Sequence, residues 1–373
     1  MTYFRFEILY QSKRSQARVG KIYTPNGIIE TPNFVPVATQ ACMKYIDTKV
    51  MDELDAQLIF CNTYHLMLHP GTATVKAAGG LHSFMQRKKP LITDSGGFQV
   101  FSLAYGSVKD ELKSRGTKKT HSGVTKIDEK GVLFRSYRDG AAVLLTPETS
   151  IQAQKDLGAD IIIPFDELPP YHITPQKLKH SFERTHRWEL RSLKEHLKNP
   201  QNQAMYGVVH GGVDPKLRAE SARILTENPF DGYAIGGSLG KNHPEMFTML
   251  ESLVPHLLNE RPRHLLGIGD LTSLLPVVRF GMDTMDSSYP TKCARHGVLF
   301  SDAGPVKIDQ TRWKNVFEPV SEAPGLAPYS ASYLHHLFKA HEPLGLMLAS
   351  IHNIHYMVKR MKRIREMILN DEI

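Results

Sequence analysis

The stretch Leu91-Ile92-Thr93-Asp94-Ser95-Gly96-Gly97 is a short apolar run that gives way at once to a carboxylate, a hydroxyl and two glycines. The same figure recurs along the chain. Phe34-Val35-Pro36-Val37-Ala38 leads into Thr39-Gln40, Leu58-Ile59-Phe60 into Cys61-Asn62-Thr63-Tyr64-His65, and Ile161-Ile162-Ile163-Pro164-Phe165 into Asp166-Glu167. Met205-Tyr206-Gly207-Val208-Val209 is followed by His210-Gly211-Gly212, and Tyr233-Ala234-Ile235 by Gly236-Gly237-Ser238. Leu265-Leu266-Gly267-Ile268 is followed by Gly269-Asp270, and Met282-Asp283-Thr284-Met285 by Asp286-Ser287-Ser288. Runs this short and this apolar suit strands buried on both faces of a parallel sheet. Helix-like stretches such as 215–226 and 244–258 separate most of them. Eight strands with intervening helices predict an α/β fold, a (β/α)8 TIM barrel, whose functional residues sit at the C-terminal strand ends. A doubly wound sheet is the alternative on pattern alone.

Residues 1–373 read as a single catalytic barrel domain with two segments too long for ordinary barrel connections. Residues 103–149 hold an inserted β-hairpin, 131–137 against 141–146, joined by Arg138-Asp139-Gly140. Residues 297–352 form an appended C-terminal subdomain. The chain closes on a long amphipathic helix carrying Met347, Ile351, Ile354, Val358, Met361, Ile364 and Ile368 at helical spacing, with Lys359, Arg360, Lys362, Arg363 and Arg365 clustered on the same stretch.

Bulk properties narrow the class. The chain has 373 residues, 41% of them hydrophobic, enough for one large core. No apolar run approaches the roughly 18 residues of a membrane helix. The opening MTYFRFEILYQSKR lacks the apolar region of a signal peptide, so a cytoplasmic location is expected. The three cysteines, Cys42, Cys61 and Cys293, are far apart and form no C-x-x-C, which argues against a disulfide framework and a cysteine-rich metal motif. The net charge of +8 is compatible with a polyanionic partner.

Asp94, Asp166 and Asp286 each end an apolar strand. A strand-end aspartate often only caps the next helix, but three at equivalent places on one barrel face need a further reason, because unpaired buried carboxylates are costly. Paired carboxylates suit chemistry at an anomeric carbon: one attacks or shields C1′ while another handles the leaving-group proton. A third carboxylate suits the donor edge of guanine. The glycines at 96, 97, 236 and 237 let backbone approach a planar ligand, and Phe98 offers a ring to stack on it or to pack the barrel mouth.

The run Asp94-Ser95-Gly96-Gly97-Phe98-Gln99 resembles the signature of the bacterial tRNA-guanine transglycosylases, the queuine tRNA-ribosyltransferases. Phe34 to Thr39, Asn62-Thr63-Tyr64-His65-Leu66, Asp231 to Gly237 and Tyr333-Leu334-His335-His336-Leu337 resemble further family motifs in the same order. The resemblance covers the chain from about residue 5 onward. It implies replacement of the wobble guanine of GUN anticodons by a 7-deazaguanine base, queuine or its 7-aminomethyl precursor, through a covalent ribosyl-enzyme. Asp286 would be the nucleophile, and Asp94 the general acid/base. Asp94, Ser95, Gly96, Gly97, Phe98, Asp166, His210 and Gly237 would hold the base, and Asn62 would orient Asp286. The segment Gly267, Ile268, Gly269, Asp270, Leu271, Thr272 and Ser273 would contact the RNA backbone. Thr291, Lys292, Cys293, Ala294 and Arg295 would read the anticodon loop, whose guanosine must be flipped out of its stack. A homodimer is implied as well.

The chain departs from the family in two places. The family's zinc ligands, three cysteines and a histidine, fall at Ser321, Ala323, Leu326 and His352. Three of the four are missing, so no metal and no other cofactor is expected. In the base pocket, His210 replaces a glutamine, Leu168 replaces a small cysteine, and the loop after Gly237, Ser238-Leu239-Gly240-Lys241, is one residue shorter. The shorter loop would admit a bulkier base. The competing function is a non-catalytic tRNA-binding partner subunit. Loss of the zinc ligands favours it, and retention of Asp94 and Asp286 opposes it.

Overall fold

The computed structural model describes residues 3–100, 123–326 and 328–373. The eight apolar runs mark the eight strands of a parallel barrel, with two offsets: the seventh strand, Arg263–Leu265, ends where its run Leu265–Ile268 begins, and the eighth, Thr284–Ser287, starts two residues into its run. Three strands precede it: β1 (Arg5–Gln11), β2 (Arg18–Thr24) and β3 (Gly27–Thr31), an antiparallel sheet in that order. The barrel begins with β4 (Asn33–Pro36), β5 (Ile59–Cys61) and β6 (Leu91–Thr93). Strands β7 (Val124–Asp128), β8 (Gly131–Arg135) and β9 (Ala142–Leu145) form a separate antiparallel sheet. The barrel resumes with β10 (Ile161–Ile162), β11 (Ala204–Val209), β12 (Gly232–Ile235), β13 (Arg263–Leu265) and β14 (Thr284–Ser287). Neighbours around the ring are β4-β14-β13-β12-β11-β10-β6-β5. A parallel bridge between Val37 and Phe60 closes the circle, and the Ala38 amide donates to Phe60 O at 2.7 Å.

Two apolar layers follow from strands that bury both faces. Val35, Phe60, Ile92, Ile161, Tyr206, Val208 and Ala234 fill the barrel interior, where Ile22 and Ile29 of the N-terminal sheet join them. That sheet therefore plugs one end of the barrel. A buried ion pair anchors it: Arg18 Nε donates to Asp283 Oδ1 at 2.8 Å and its Nη2 to Oδ2 at 2.6 Å. Asp283 also accepts the Arg263 amide at 2.7 Å, so the pair is tied to the start of β13. The outer layer packs the strands against the surrounding helices, among them Pro215–Thr226, His243–Leu253 and Leu274–Arg279. Two of these three begin on a side-chain cap. Asp214, for example, accepts the Lys216 and Leu217 amides with Pro215 at the first helical position.

Of the segment 103–149, residues 103–122 lie outside the described residues. In the remainder, β8 pairs antiparallel with β9 across the turn 136–141, and β7 adds on the other side. Phe134, Val132 and Leu145 of this sheet pack on Tyr64, Phe165 and Trp188 beside the barrel mouth. After β14 come β15 (Val298–Leu299), β16 (Val306–Lys307) and the helices Ala331–Lys339 and Pro343–Leu369. Asn353 ties the last helix to the barrel: its Oδ1 accepts the Phe300 amide, and its Nδ2 donates to Pro290 O and Val298 O, all at 2.9 Å. The buried stripe of that helix includes Ile351, Ile354, Met361, Ile364 and Ile368. Met347, expected on this stripe, is exposed, and Met357 is buried in the stripe instead.

Candidate active site

The three strand-end aspartates lie at the C-terminal ends of β6, β10 and β14, and each has a different environment. Asp94 is buried under three donors. Asn62 Nδ2 donates to its Oδ2 at 2.6 Å, Gln99 Nε2 to the same oxygen at 3.0 Å, and the Thr63 amide to Oδ1 at 2.7 Å. Burial nevertheless dominates, opposed by these donors and reinforced by the nearby Asp166, and it lifts the Asp94 carboxyl to about 6. The expectation that Asn62 orients Asp286 is corrected here. Asn62 sits just past the end of β5, next to β6 in the barrel, and its amide is committed to Asp94.

Asp166 is held by the Ser95 hydroxyl. Ser95 Oγ donates to Asp166 Oδ1 at 2.7 Å and accepts the Gly97 amide at 3.1 Å. The close approach explains the glycine: a Cβ on Gly97 would stand 2.4 Å from Asp166 O. His210 Nε2 lies 3.2 Å from Asp166 Oδ2, without the alignment of a hydrogen bond. Gly237 has φ +73°, and a Cβ there would come within 3.1 Å of His210 Nδ1. The strand-end loops of β11 and β12 are pinned from beneath by Arg218, a buried guanidinium on the helix Pro215–Thr226. It donates to Val209 O at 2.6 Å, Gly212 O at 2.7 Å and Ser238 O at 3.0 Å. Burial alone lowers its pKa to about 9. Phe98 is half exposed at the rim.

Asp286 has its Oδ1 fixed twice. The Gly267 amide donates to it at 2.9 Å, and His264 Nε2 stands 3.2 Å away. His264 Nδ1 is 2.8 Å from Thr284 Oγ1, and the ring stacks on Phe60 at 5.9 Å. Sequence reading did not single out Arg218, His264, Thr284 or the donor role of Gln99. The available signal for His264 was a polar residue inside the Arg263-His264-Leu265 strand, where both faces are buried.

The expected RNA-contact segments divide by burial. In the loop after β13, Gly267 and Thr272 are exposed, Ile268, Asp270 and Leu271 are half buried, and Gly269 and Ser273 are buried. Asp270 is spent locally: it accepts the Thr272 and Ser273 amides and both their hydroxyls, and lies 3.3 Å from His243. On the helix Tyr289–Arg295, Thr291 and Ala294 are buried against the body, Lys292 is exposed, and Cys293 and Arg295 are half buried. Thr291 and Ala294 therefore support this helix and present no side chain to a ligand.

The candidate zinc positions do not fit zinc. Ala323 and Leu326 are fully buried in the apolar core and have no donor atom. Ser321 Oγ accepts the Ala323 amide at 3.1 Å, and His352 Nε2 is 2.8 Å from Phe300 O. Among the described residues, no group of three or more His, Cys, Asp and Glu has the geometry to hold a metal ion.

A model of the family described as "Queuine tRNA-ribosyltransferase" matches residues 12–373. The chain belongs to this family. It is similar to the queuine tRNA-ribosyltransferase of Protochlamydia amoebophila (strain UWE25), 60% identical over 376 residues, covering 100% of this chain and 97% of that protein. It is also similar to the enzymes of that name from Chlamydia caviae and Chlamydia pneumoniae, each 54% identical over 373 residues with 99% of both chains covered. Family membership accounts for the barrel and for the motif order. No helix among the described residues is long and apolar enough to cross a membrane.

Proposed function

We propose that this chain exchanges the guanine at the wobble position of GUN-anticodon tRNAs for a 7-deazaguanine base, queuine or its 7-aminomethyl precursor. It acts as a cytoplasmic homodimer on the flipped anticodon loop. The observation that carries the reading is the contrast between two carboxylates at one barrel mouth. Asp94 is buried and lifted to about 6, while Asp286 is held by one oxygen on a backbone amide and a histidine. Environments that differ in this way separate an acid/base from a nucleophile.

In the first displacement an Asp286 oxygen forms a bond to C1′ as the bond from C1′ to guanine breaks, and the electron pair leaves with the base. Asp94, whose carboxyl is lifted to about 6, supplies the proton that the departing guanine takes. The incoming base gives its proton to Asp94 and displaces Asp286, so two inversions retain configuration at C1′. Asp166, oriented by Ser95, accepts from the donor edge of the base. The Gly237 amide donates to the base carbonyl, His210 lines the pocket, and Phe98 stacks. Of the RNA-facing segments, Lys292 and Arg295 supply charge to the anticodon loop, and Gly267 and Thr272 meet its backbone. The subdomain at 297–352 holds no zinc.

The test is incubation with unmodified tRNA and labelled guanine. Label should enter the tRNA, and a denaturant-stable protein–tRNA adduct should form. Binding of tRNA without incorporation would identify a partner subunit instead.

A further inference from the structure

We propose that His264 is the positioning residue of the nucleophile: with its Nδ1 held by Thr284, it donates its Nε2 proton to Asp286 Oδ1 and so turns the other carboxylate oxygen toward C1′. The proposal rests on the reading of Asp286 as the nucleophile and adds to it a buried relay outside the motif stretches that carry the resemblance.

The geometry leaves little freedom. His264 is wholly buried, and the polar groups facing its ring are the Thr284 hydroxyl at 2.8 Å and Asp286 Oδ1 at 3.2 Å. A neutral imidazole has one donor and one acceptor nitrogen. A carboxylate only accepts, so the nitrogen facing Asp286 carries the proton. In the neutral ring Nδ1 then accepts, and among the described residues the Thr284 hydroxyl is the donor that reaches it. Thr284 is itself buried, and it lies two residues before Asp286 on the same strand, its side chain on the same face. The stacking on Phe60, with 16° between the rings, fixes the imidazole plane. The result is a directed chain from the Thr284 hydroxyl through His264 to Asp286 Oδ1.

The same oxygen accepts the Gly267 amide at 2.9 Å. Both donors therefore converge on Oδ1. Among the described residues Oδ2 has no hydrogen-bond partner, and the side chain keeps 10% of its exposure at the mouth. A carboxylate held by one oxygen and open at the other is prepared for in-line attack. A carboxylate capped on both oxygens, as Asp94 is, is not. A nucleophile that rotated freely about its last bond would lose part of the orientational advantage that makes the attack unimolecular.

The experiment compares His264→Phe, His264→Gln, Thr284→Val and the His264→Gln/Thr284→Val double variant with wild type and Asp286→Asn. The readouts are the rate of the denaturant-stable tRNA adduct and tRNA affinity. His264→Phe should slow the adduct roughly 100-fold, the scale for losing one preorganised donor, with tRNA affinity unchanged. His264→Gln places an amide N–H near the position of Nε2 and should recover most of that loss. Thr284→Val is near-isosteric and should slow the adduct about tenfold when His264 is present, by freeing the tautomer. In the His264→Gln background it should have almost no effect, since an amide N–H needs no tautomer fixed.

A merely structural role would make Thr284→Val equally costly in both backgrounds and would leave glutamine no better than phenylalanine. Either result overturns the proposal. So does a wild-type adduct rate in His264→Phe. If His264→Phe does not fold, the two Thr284 comparisons decide the matter alone. An adduct that survives Asp286→Asn would instead overturn the assignment of the nucleophile, a failure distinguishable from that of the relay.

Discussion

The barrel mouth and the segment after β14 differ from the family pattern in opposite ways. At the mouth, Asp94, Asp166 and Asp286 are each met by their own donors, and each oxygen pairing is specific in distance and direction. After β14, three of the four positions where the family carries metal ligands hold a hydroxyl in a local turn and two apolar side chains in the common core, and the fourth, His352, faces Phe300 O. A structural metal supplies folding free energy, and apolar burial supplies the same quantity without direction, at about 25 cal/mol per Å² of surface removed from water. Chemistry at C1′ has no such substitute. Stability in that segment can therefore come from another source, while the mouth must keep its carboxylates even where other residues of the base pocket differ.

The sharpest way to break this contrast is Asp286→Asn. An amide is a far poorer nucleophile than a carboxylate, so exchange should fall by more than about 1,000-fold, the range seen when a nucleophile is removed. Affinity for tRNA and the melting temperature should hold close to wild type, because Asn can still accept from the Gly267 amide. An Asp286→Asn protein that retains exchange, measured by labelled-guanine incorporation, would place the nucleophile elsewhere.

Much of the mouth was legible in the sequence because both determinants are local. A run buried on both faces must be apolar, and a functional barrel residue must follow such a run, so Asp94, Asp166 and Asp286 stood out. What was not legible depended on neighbours across the ring. Asn62 and Asp94 are 32 residues apart, and nothing in either stretch says that the amide serves Asp94 rather than Asp286. His264 belongs to the strand before Asp286, and its role follows from the parallel register that sets His264 beside Thr284. The N-terminal sheet was also missed. Its strands are partly exposed, so β1 lacks the continuous apolar run that marks the barrel strands. Burial likewise separates Lys292 and Arg295 from Thr291 and Ala294 within one helix turn.

The second test concerns Asp94 and pH. Its folded pKa of about 6 lies above the ordinary 3.8, chiefly through burial. The folded state therefore holds this proton more tightly than the unfolded chain. The stabilisation is fully present below the unfolded value and is lost as pH rises through about 6. Between pH 4 and pH 7 this group alone should lower stability by on the order of 2 kcal/mol. Asp94→Asn cannot titrate, so the pH dependence of its denaturation midpoint should be flatter across that window while exchange is lost. Identical slopes for the two proteins would show that Asp94 is ionised with no cost of burial.

A smaller effect separates the two basic regions. Neutralising Lys292 and Arg295 should weaken binding of the cognate anticodon loop about tenfold and reduce preference over other tRNAs. Neutralising Lys362 and Arg363 should weaken all tRNAs alike and lower the salt slope by one to two units, the consequence of removing about two phosphate contacts. Lys362 already lies 3.3 Å from Asp55, so part of its charge is answered within the protein. Equal loss of cognate preference in both variants, read from salt titrations on two tRNAs, would remove the distinction.

The smallest expected effect is the most diagnostic for the subdomain. Chelator should leave the melting temperature and exchange activity unchanged, and the purified protein should carry much less than one zinc per chain. The argument rests on donors. Zinc needs about four ligands, with thiolates or imidazoles close together. Cys61 is buried at the end of β5, Cys293 is on the helix after β14, and Cys42 is exposed before the first barrel helix Thr48–Glu53. His335 Nδ1 lies 2.8 Å from Ile308 O, and burial lowers the pKa of His352 beside Phe300 O. Leu326→Ala supplies the positive control. Truncating a buried leucine costs about 2–5 kcal/mol through lost transfer and cavity terms, and it should lower the melting temperature while sparing the adduct rate per folded molecule. If packing has taken over the metal's role, Leu326→Ala weakens the subdomain and chelator does not. One tightly held zinc per chain, with activity lost on its removal, would reverse both expectations and place a metal site among residues other than Ser321, Ala323 and Leu326.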